Sequence, residues 1–231
     1  ALARLDQLAY DKPVNVLASQ ALNFCIPGNA ALANVVEFRG YGTVNRLPAD
    51  MIHESMQRVE DVNWYGSTTR VDDLIVDMLE RYDIDFVLME NDRTDLDLQF
   101  RHLPSMFSQV YTDDLFTIYA VSRPLRVSAV VEGNGMLRQR QWKAAEKIFR
   151  QSIQDDPDQV LAYLGLGMAV EGQGRVEEAL DYYLQASQQA ESEAGLHARA
   201  AETYLLLQET DHAAAEYERA VSLAPNRYAF L

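Results

Sequence analysis

The C-terminal part of the chain repeats itself with a fixed step of 34 residues. Three alanines mark this step, at Ala145, Ala179 and Ala213. An aromatic residue follows each alanine by four positions, and a small residue follows three positions later, as in the pairs Phe149 and Ser152, Tyr183 and Ala186, Tyr217 and Ala220. Pro157 and Pro225 come five positions after the first and the last of these small residues. Because several positions keep one register over three copies, we predict a stack of similar structural units.

This pattern resembles the tetratricopeptide repeat, in which each unit is a pair of antiparallel helices. Small residues allow two helices to approach closely, the aromatic residue fills the gap between neighbouring pairs, and proline ends the second helix. We therefore predict that residues 124–231 form an all-α array of about three repeats. The first copy departs from the pattern, because the glycines of Glu132-Gly133-Asn134-Gly135 weaken its first helix.

The resemblance implies that the first helix of each repeat lines a concave groove. By register, the predicted groove residues are Leu161, Leu164, Met168 and Glu171 in the second copy, and Ala198, Glu202, Leu205 and Leu206 in the third. The first copy offers Val130, Asn134, Leu137 and Arg138. Such a surface favours a protein or peptide partner with a few apolar anchors and one or two Lys or Arg. The alternative is that some of these apolar residues pack on the α/β domain.

The N-terminal half alternates strands with helices, which is typical of an α/β domain. Apolar runs at 14–18, 34–38 and 86–89 are predicted strands, and the last is expected to be buried on both faces in a parallel sheet. Thr69 and Asp72 resemble a capping box that starts a helix before this last strand.

The end of this half predicts an antiparallel hairpin, because β-rich runs at 109–112 and 115–122 flank Asp113-Asp114. We therefore predict an α+β protein of two domains. Residues 1–123 would form a three-layer α/β domain with a mainly parallel sheet and an edge hairpin, and the helical repeats would follow.

Several segments of residues 1–123 resemble the soluble extracytoplasmic region of the C-type superfamily of membrane glycosyltransferases that use lipid-linked sugars. The segments are Val16-Leu-Ala-Ser19 with Ile26-Pro27, Tyr82-Asp-Ile-Asp-Phe86-Val-Leu, and Phe107-Ser-Gln-Val-Tyr-Thr-Asp with Phe116-Thr-Ile-Tyr-Ala-Val. The resemblance implies that the catalytic carboxylate and the lipid-phosphate site lie in a membrane portion outside this sequence. It also implies a location on the extracytoplasmic face of a bacterial membrane.

The charge of the chain excludes one class of partner. The formal net charge is −15, whereas a nucleic-acid-binding surface needs clustered Lys and Arg. The sequence starts without methionine, apparently inside a helix, and stops where a fourth repeat would begin. Both ends therefore predict a piece of a longer protein. The single cysteine excludes an internal disulfide and a cysteine-rich zinc site.

One loop of the α/β domain is a candidate ligand site. If the three predicted strands are parallel, polar residues gather at their carboxyl ends, where doubly wound sheets bind ligands. The candidate residues for an anionic or sugar group are Ser19, Asn23, Arg39, Tyr41 and Arg46, with residues 90–92 nearby. The alternative is an ordinary surface loop.

Other chemical candidates are weaker than their structural alternatives. Asp83-Ile-Asp85 and Asp95-Leu-Asp97 have the form of a metal–diphosphate site, but each is also typical of a solvated turn. Cys25 would need His53 or His102 as a base, and neither is placed by a motif. We therefore predict no catalytic residue, no metal and no cofactor in this sequence.

Two functions remain open at this stage. The first is a non-catalytic soluble C-terminal part of a membrane glycosyltransferase-like protein, whose repeats bind other proteins. The second is a soluble protein-interaction scaffold, with a cytoplasmic location, whose α/β domain binds a small ligand. Both assign protein or peptide binding to the repeats, and neither determines the oligomeric state.

Overall fold

The computed structural model describes residues 4, 7, 14–18, 33–35, 65 and 67–225, with only the backbone at 33–35. The chain divides into two compact units. The first unit comprises residues 1–69 and 74–126. The second comprises residues 127–231 together with the short segment 70–73 from the middle of the sequence.

The first unit contains a five-stranded sheet with the strand order β2-β1-β3-β5-β4. Its described strands are β1 (Val14–Leu17), β2 (Ala33–Val35), β3 (Phe86–Glu90), β4 (Phe107–Thr112) and β5 (Phe116–Val121). β1 is parallel to both β2 and β3, whereas β5 is antiparallel to both β3 and β4. The three strands predicted to be parallel are parallel neighbours, and the hairpin adds β5 antiparallel to β3, so that the whole sheet is mixed.

The predicted hairpin is confirmed at the edge of this sheet. The side chain of Asp113 organises its loop, because Oδ1 accepts hydrogen bonds from the backbone N–H groups of Leu115 (3.0 Å) and Phe116 (2.8 Å). An aspartate that bonds the backbone two and three residues ahead fixes a turn without a glycine. This explains how Asp113-Asp114 replaces the more usual Asn-Gly.

Two described helices accompany the sheet, α1 (Asp73–Arg81) and α2 (Thr94–Arg101). Helix α1 buries Ile75, Val76, Met78 and Leu79 on one face. It begins at Asp73, however, so the predicted capping box at Thr69 and Asp72 is wrong. The residues before Asp73 are held by contacts with the second unit's helices, which are given below.

The described part of the second unit contains six helices. They are α3 (Ala129–Arg138), α4 (Trp142–Asp155), α5 (Val160–Glu171), α6 (Val176–Gln189), α7 (Ala194–Leu206) and α8 (Thr210–Leu223). Each odd-numbered helix packs most closely with the next helix in the sequence, which gives three hairpins. The residues that keep the 34-residue register form the contacts: the alanines at 145, 179 and 213 are at most 1% exposed, and Phe149 and Tyr183 are fully buried.

Glycines allow the aromatic residues of this register to fit. The ring of Phe149 lies against Gly133 on α3 and Gly165 on α5, where a Cβ atom would overlap it. Tyr183 lies in the same way against Gly167. The glycines that weaken the first helix in sequence terms are therefore part of the packing between hairpins.

None of the helices in the described part of the chain is long and apolar enough to cross a membrane.

Candidate functional site

The first helices of the three hairpins, α3, α5 and α7, contribute to one cavity of about 210 Å³. Its lining is Arg70, Leu137, Trp142, Met168, Glu171, Gly172 and Arg199. Apolar side chains thus lie beside two cations and one carboxylate. Because all three hairpins face this space, it is the candidate groove of the second unit.

The carboxylate of this groove is already paired. Oε2 of Glu171 accepts a hydrogen bond from Nη2 of Arg199 (2.8 Å) and another from the hydroxyl of Tyr183 (2.5 Å). The Arg199 guanidinium also lies 5.3 Å from the centre of the Tyr183 ring. Burial raises the pKa of Tyr183, although the nearby Arg199 lowers it. This interaction links α5, α6 and α7, and it satisfies the charge that was expected to attract a basic partner.

The predicted groove residues separate into three sets. Met168 and Glu171 line the cavity, and Leu164 is half-buried. Leu161 and Ala198 are only 1% and 6% exposed, so their assignment to an open groove surface is wrong. Ala198 instead belongs to a small core cluster between α7 and α8.

The third set lies at the end of α7. Glu202 is exposed and accepts a hydrogen bond from Nη1 of Arg199 (3.2 Å). Leu205 is 47% exposed and lines a second, more open cavity of about 570 Å³ on α7 and α8. Leu206 is 63% exposed. Leu205 therefore lines a different cavity from Met168.

A short segment of the chain, Arg70–Asp73, contacts the same helices and is called here the 70–73 segment. The side-chain Nδ2 of Asn134 donates a hydrogen bond to the carbonyl oxygen of Val71 over 2.8 Å. Asn134 is 2% exposed and Val71 is fully buried. Nη1 of Arg70 lies 3.6 Å from Sδ of Met168. Helices α3 and α5 thus contact a short stretch of chain that ends at the first residue of α1.

The acidic end of the 70–73 segment is bound by Arg138. Nε of Arg138 donates to Asp72 (2.7 Å), and Nη2 donates to both carboxylate oxygens of Asp73 (2.8 and 2.9 Å). The hydrogen bond to Asp73 is the largest contribution that raises the pKa of Arg138. Asp73 approaches so closely that a Cβ atom on Gly135 would lie 2.8 Å from its Oδ1. The guanidinium of Arg138 therefore binds two carboxylates, and Gly135 leaves the space that the Asp73 carboxylate occupies.

The candidate ligand site of the first unit falls mostly outside the described residues. Ser19, Asn23, Arg39, Tyr41 and Arg46 all lie there, as do Cys25 and His53. β1, β2 and β3 are parallel, as that hypothesis requires. At the end of β3, the side chain of Asn91 donates to the carbonyl of Asp113 (2.5 Å) and accepts from Thr117 (2.8 Å). Asn91 is thus bonded to the hairpin.

The Asp-x-Asp pairs have structural contacts. Asp85 accepts a hydrogen bond from the backbone N–H of Asn15 (2.8 Å), which joins the start of β1 to the start of β3. Asp95 and Asp97 lie in the first turn of helix α2, whereas the sequence alone suggests a solvated turn between elements. Asp97 accepts hydrogen bonds from the Tyr119 hydroxyl (2.5 Å) and from Arg101 (2.7 Å). Among the residues that the structure describes, no cluster of three or more His, Cys, Asp or Glu could hold a metal ion.

Sequence reasoning missed the two most informative parts of this site. Arg199 is not one of the positions that the 34-residue register repeats, so the sequence pattern does not indicate its role on α7. The 70–73 segment was assigned to a helix of the first unit. The nearest available signal was Gly133-Asn134-Gly135, because two glycines around a polar residue inside a helix indicate close approach by other groups.

The second unit is a helical repeat array, built from three hairpins whose first helices face one cavity. Its repeats are tetratricopeptide repeats: family models of that description match residues 131–194 and 194–227. The resemblance based on the 34-residue period is thus confirmed. No curated protein sequence matches this chain.

Several solved structures are similar to part of the chain. PcrH in complex with the chaperone binding region of PopB is 27% identical, with a TM-score of 0.41 over 45% of this chain and 87% of that one. The Yersinia enterocolitica chaperone SycD, in complex with a peptide of the translocator YopD, is 22% identical, with a TM-score of 0.41 over 44% of this chain and 78% of that one. A double mutant of MamA RS-1 is 19% identical, with a TM-score of 0.41; the match covers 43% of this chain and spans 56% of the MamA chain.

Proposed function

We propose that this protein is an interaction module whose repeat groove binds a short peptide segment of a partner protein. The observation that carries the proposal is the cavity shared by α3, α5 and α7, which places Leu137 and Met168 beside Arg70 and Arg199. Stacked helix pairs form concave surfaces that such proteins use for binding. An apolar anchor surrounded by polar groups is the usual arrangement of a binding hot spot.

The chemistry of the groove differs from the sequence expectation. Glu171 is bonded to Arg199 and Tyr183, so it is less able to recruit a basic residue of a partner. Arg138, which follows the cavity-lining Leu137 on α3, binds two carboxylates of the chain itself, those of Asp72 and Asp73. The groove therefore favours an apolar peptide with acidic groups over a basic one.

The resemblance of residues 1–123 to membrane glycosyltransferases receives no support from the matches reported above. The proposal does not depend on it, because the binding surface lies wholly in the second unit.

The test uses peptides selected from a random library displayed on phage, with the 231-residue chain as the target. We expect the selected peptides to lose at least tenfold in affinity when Met168→Asp places a charge in the apolar part of the groove. Leu223→Asp is the matched control, because Leu223 is exposed on α8 and lines neither cavity. The affinity of the selected peptides for Leu223→Asp should equal their affinity for the unmodified chain.

Circular dichroism of both variants completes the test. If Met168→Asp keeps its helical signal and still binds the peptides, the groove is not the binding surface. If Met168→Asp unfolds while Leu223→Asp does not, Met168 is a core residue and the assignment is equally wrong.

A further inference from the structure

We propose that the 70–73 segment is an internal ligand of the repeat groove, and that partner peptides of the same chemistry displace it. That chemistry is a buried aliphatic residue followed by two acidic residues. The inference rests on the proposed function, because it names the class of peptide that the same groove takes.

The contacts of the 70–73 segment are those by which proteins recognise peptides. Asn134 binds the carbonyl of Val71, a group that every peptide carries. Arg138 binds the carboxylates of Asp72 and Asp73 with separate nitrogens, and this forked geometry selects carboxylates over neutral groups. The full burial of Val71 selects an apolar side chain of similar size at that position. The helices therefore contact both the backbone and the side chains of the 70–73 segment.

The helix that makes these contacts is adapted to them. Gly135 lies in the interior of α3, where glycine is a poor helix former. Any larger residue would place its Cβ atom against the Asp73 carboxylate. Asn134 is almost completely buried, and a buried amide needs a hydrogen-bond partner such as the Val71 carbonyl. Helix α3 thus contains a residue of low helix propensity at position 135, and the absence of a side chain there leaves room for the Asp73 carboxylate.

The neighbouring cavity gives a displacing peptide somewhere to start. Arg70 forms one wall of the 210 Å³ space, and Leu137 and Met168 form others. A partner peptide can enter this space beside Arg70 while the 70–73 segment is still bound. Because the segment belongs to the same chain, it competes at a high effective concentration, which lowers the apparent affinity of any free peptide.

The experiment measures binding of one defined probe to the 231-residue chain. The probe is a fluorescein-labelled peptide with the sequence of residues 67–75, Ser-Thr-Thr-Arg-Val-Asp-Asp-Leu-Ile, with blocked ends. In the Asp72→Asn/Asp73→Asn variant the internal segment loses its Arg138 contacts, so we expect the probe to bind at least tenfold more tightly than to the unmodified chain. The control is Asp155→Asn/Asp158→Asn, which makes the same change of charge at exposed residues and should bind as the unmodified chain does.

A second probe tests the acidic residues directly. A peptide with asparagine at both aspartate positions should bind the Asp72→Asn/Asp73→Asn chain at least tenfold more weakly than the first probe. Equal binding of the two probes, or equal binding of the first probe to the variant and to the unmodified chain, overturns the proposal. Failure of this kind leaves the proposed function standing if library peptides still depend on Met168.

Hydrogen exchange provides a measurement that does not need the double variant to fold. In Gly135→Ala, the added Cβ atom should disturb Asp73 while alanine favours the helix. We expect amide exchange over residues 70–73 to become at least fivefold faster, with exchange in α3 unchanged or slower. Unchanged exchange over residues 70–73 would show that the contacts at α3 do not hold the segment, and the proposal would fall.

Discussion

At the scale of single residues, Gly165 is the most sensitive position of the repeat packing. A Cβ atom there would overlap the ring of Phe149, and an aromatic ring wedged between two helices cannot easily move. Gly165→Ala gains about 1 kcal/mol of helix propensity but overpacks the core, which costs about 1–3 kcal/mol. We expect a net loss of stability of up to about 2 kcal/mol, measured by urea unfolding followed by circular dichroism.

A double-mutant cycle separates this overlap from other causes. Phe149→Leu alone should destabilise the chain by leaving a cavity. In combination with Gly165→Ala, the smaller leucine makes room for the new methyl group, so the two losses should sum to more than the measured loss. Strictly additive losses would contradict the overlap.

The same residues show how far the sequence could be read. The alanines of the 34-residue register are buried together with Phe149 and Tyr183, because the packing of similar hairpins repeats with the sequence, whereas Tyr217 of the last copy is half-buried. In the sequence alone, Gly133 and Gly135 indicate a weakness of the first repeat. Their reason is the close approach of Phe149 and Asp73, two residues far away in the sequence, and no local pattern contains that information.

At the scale of elements, an ion network joins α4 and α6. Glu146 accepts from Arg150 (2.9 Å) and Arg175 (2.9 Å), and Glu178 accepts from Arg150 (2.9 Å). The Glu146 side chain is 16% exposed. Burial opposes the charge of Glu146, but hydrogen bonds from Gln173, Arg150 and Arg175 lower its pKa to about 2. Neighbouring hairpins are thus connected by charged groups as well as by Phe149.

This network predicts how stability depends on pH. The pKa of Glu146 falls from 4.5 to about 2 on folding, so its contribution is complete above pH 4.5 and is lost as the pH falls toward 2. Glu146→Gln should cost roughly 1–3 kcal/mol at pH 7 and flatten the acid limb of stability between these pH values. The measurement is urea unfolding at each pH.

The control for this prediction is Glu177→Gln, at an exposed position in the first turn of α6. It should change stability by less than about 0.5 kcal/mol. An acid limb that is equally steep in the unmodified chain and in Glu146→Gln would mean that Glu146 does not carry the pH dependence.

Helix α1 shows why one element boundary could not be predicted. Thr69 and Asp72 have the spacing of a capping box, and a local preference of this kind is worth only about 1 kcal/mol. The structure instead places Val71 and Asp72 against Asn134 and Arg138. Burial of Val71 and three charged hydrogen bonds outweigh the local preference, so the helix starts at Asp73.

At the scale of the whole molecule, the sequence predicted two bodies, a strand-containing one and a helical one. The layout fits, because one continuous repeat pattern follows the last strand. The exchange of residues 70–73 into the helical unit was not predictable, since contact between residues more than 60 positions apart leaves no mark in the periodicity of either segment.

This exchange makes a prediction about the repeat unit as a separate piece. A fragment of residues 127–231 lacks the 70–73 segment, so the buried amide of Asn134 loses the Val71 carbonyl and Arg138 loses two carboxylates. The loss of a hydrogen bond to a charged group costs about 1.5–3 kcal/mol. We therefore expect the fragment to be poorly stable by itself and to unfold at a low temperature.

The missing segment should restore stability when it is supplied as a peptide. Binding to the folded state alone stabilises it by about 2.7 kcal/mol when the peptide concentration is 100 times the dissociation constant. The Tm of the fragment should therefore rise with the concentration of the residue 67–75 peptide, as measured by circular dichroism. The peptide with asparagine in place of Asp72 and Asp73 should raise it much less, because Arg138 then meets no charge. A Tm that stays constant with both peptides would mean that the 70–73 segment contributes no stability to the repeats.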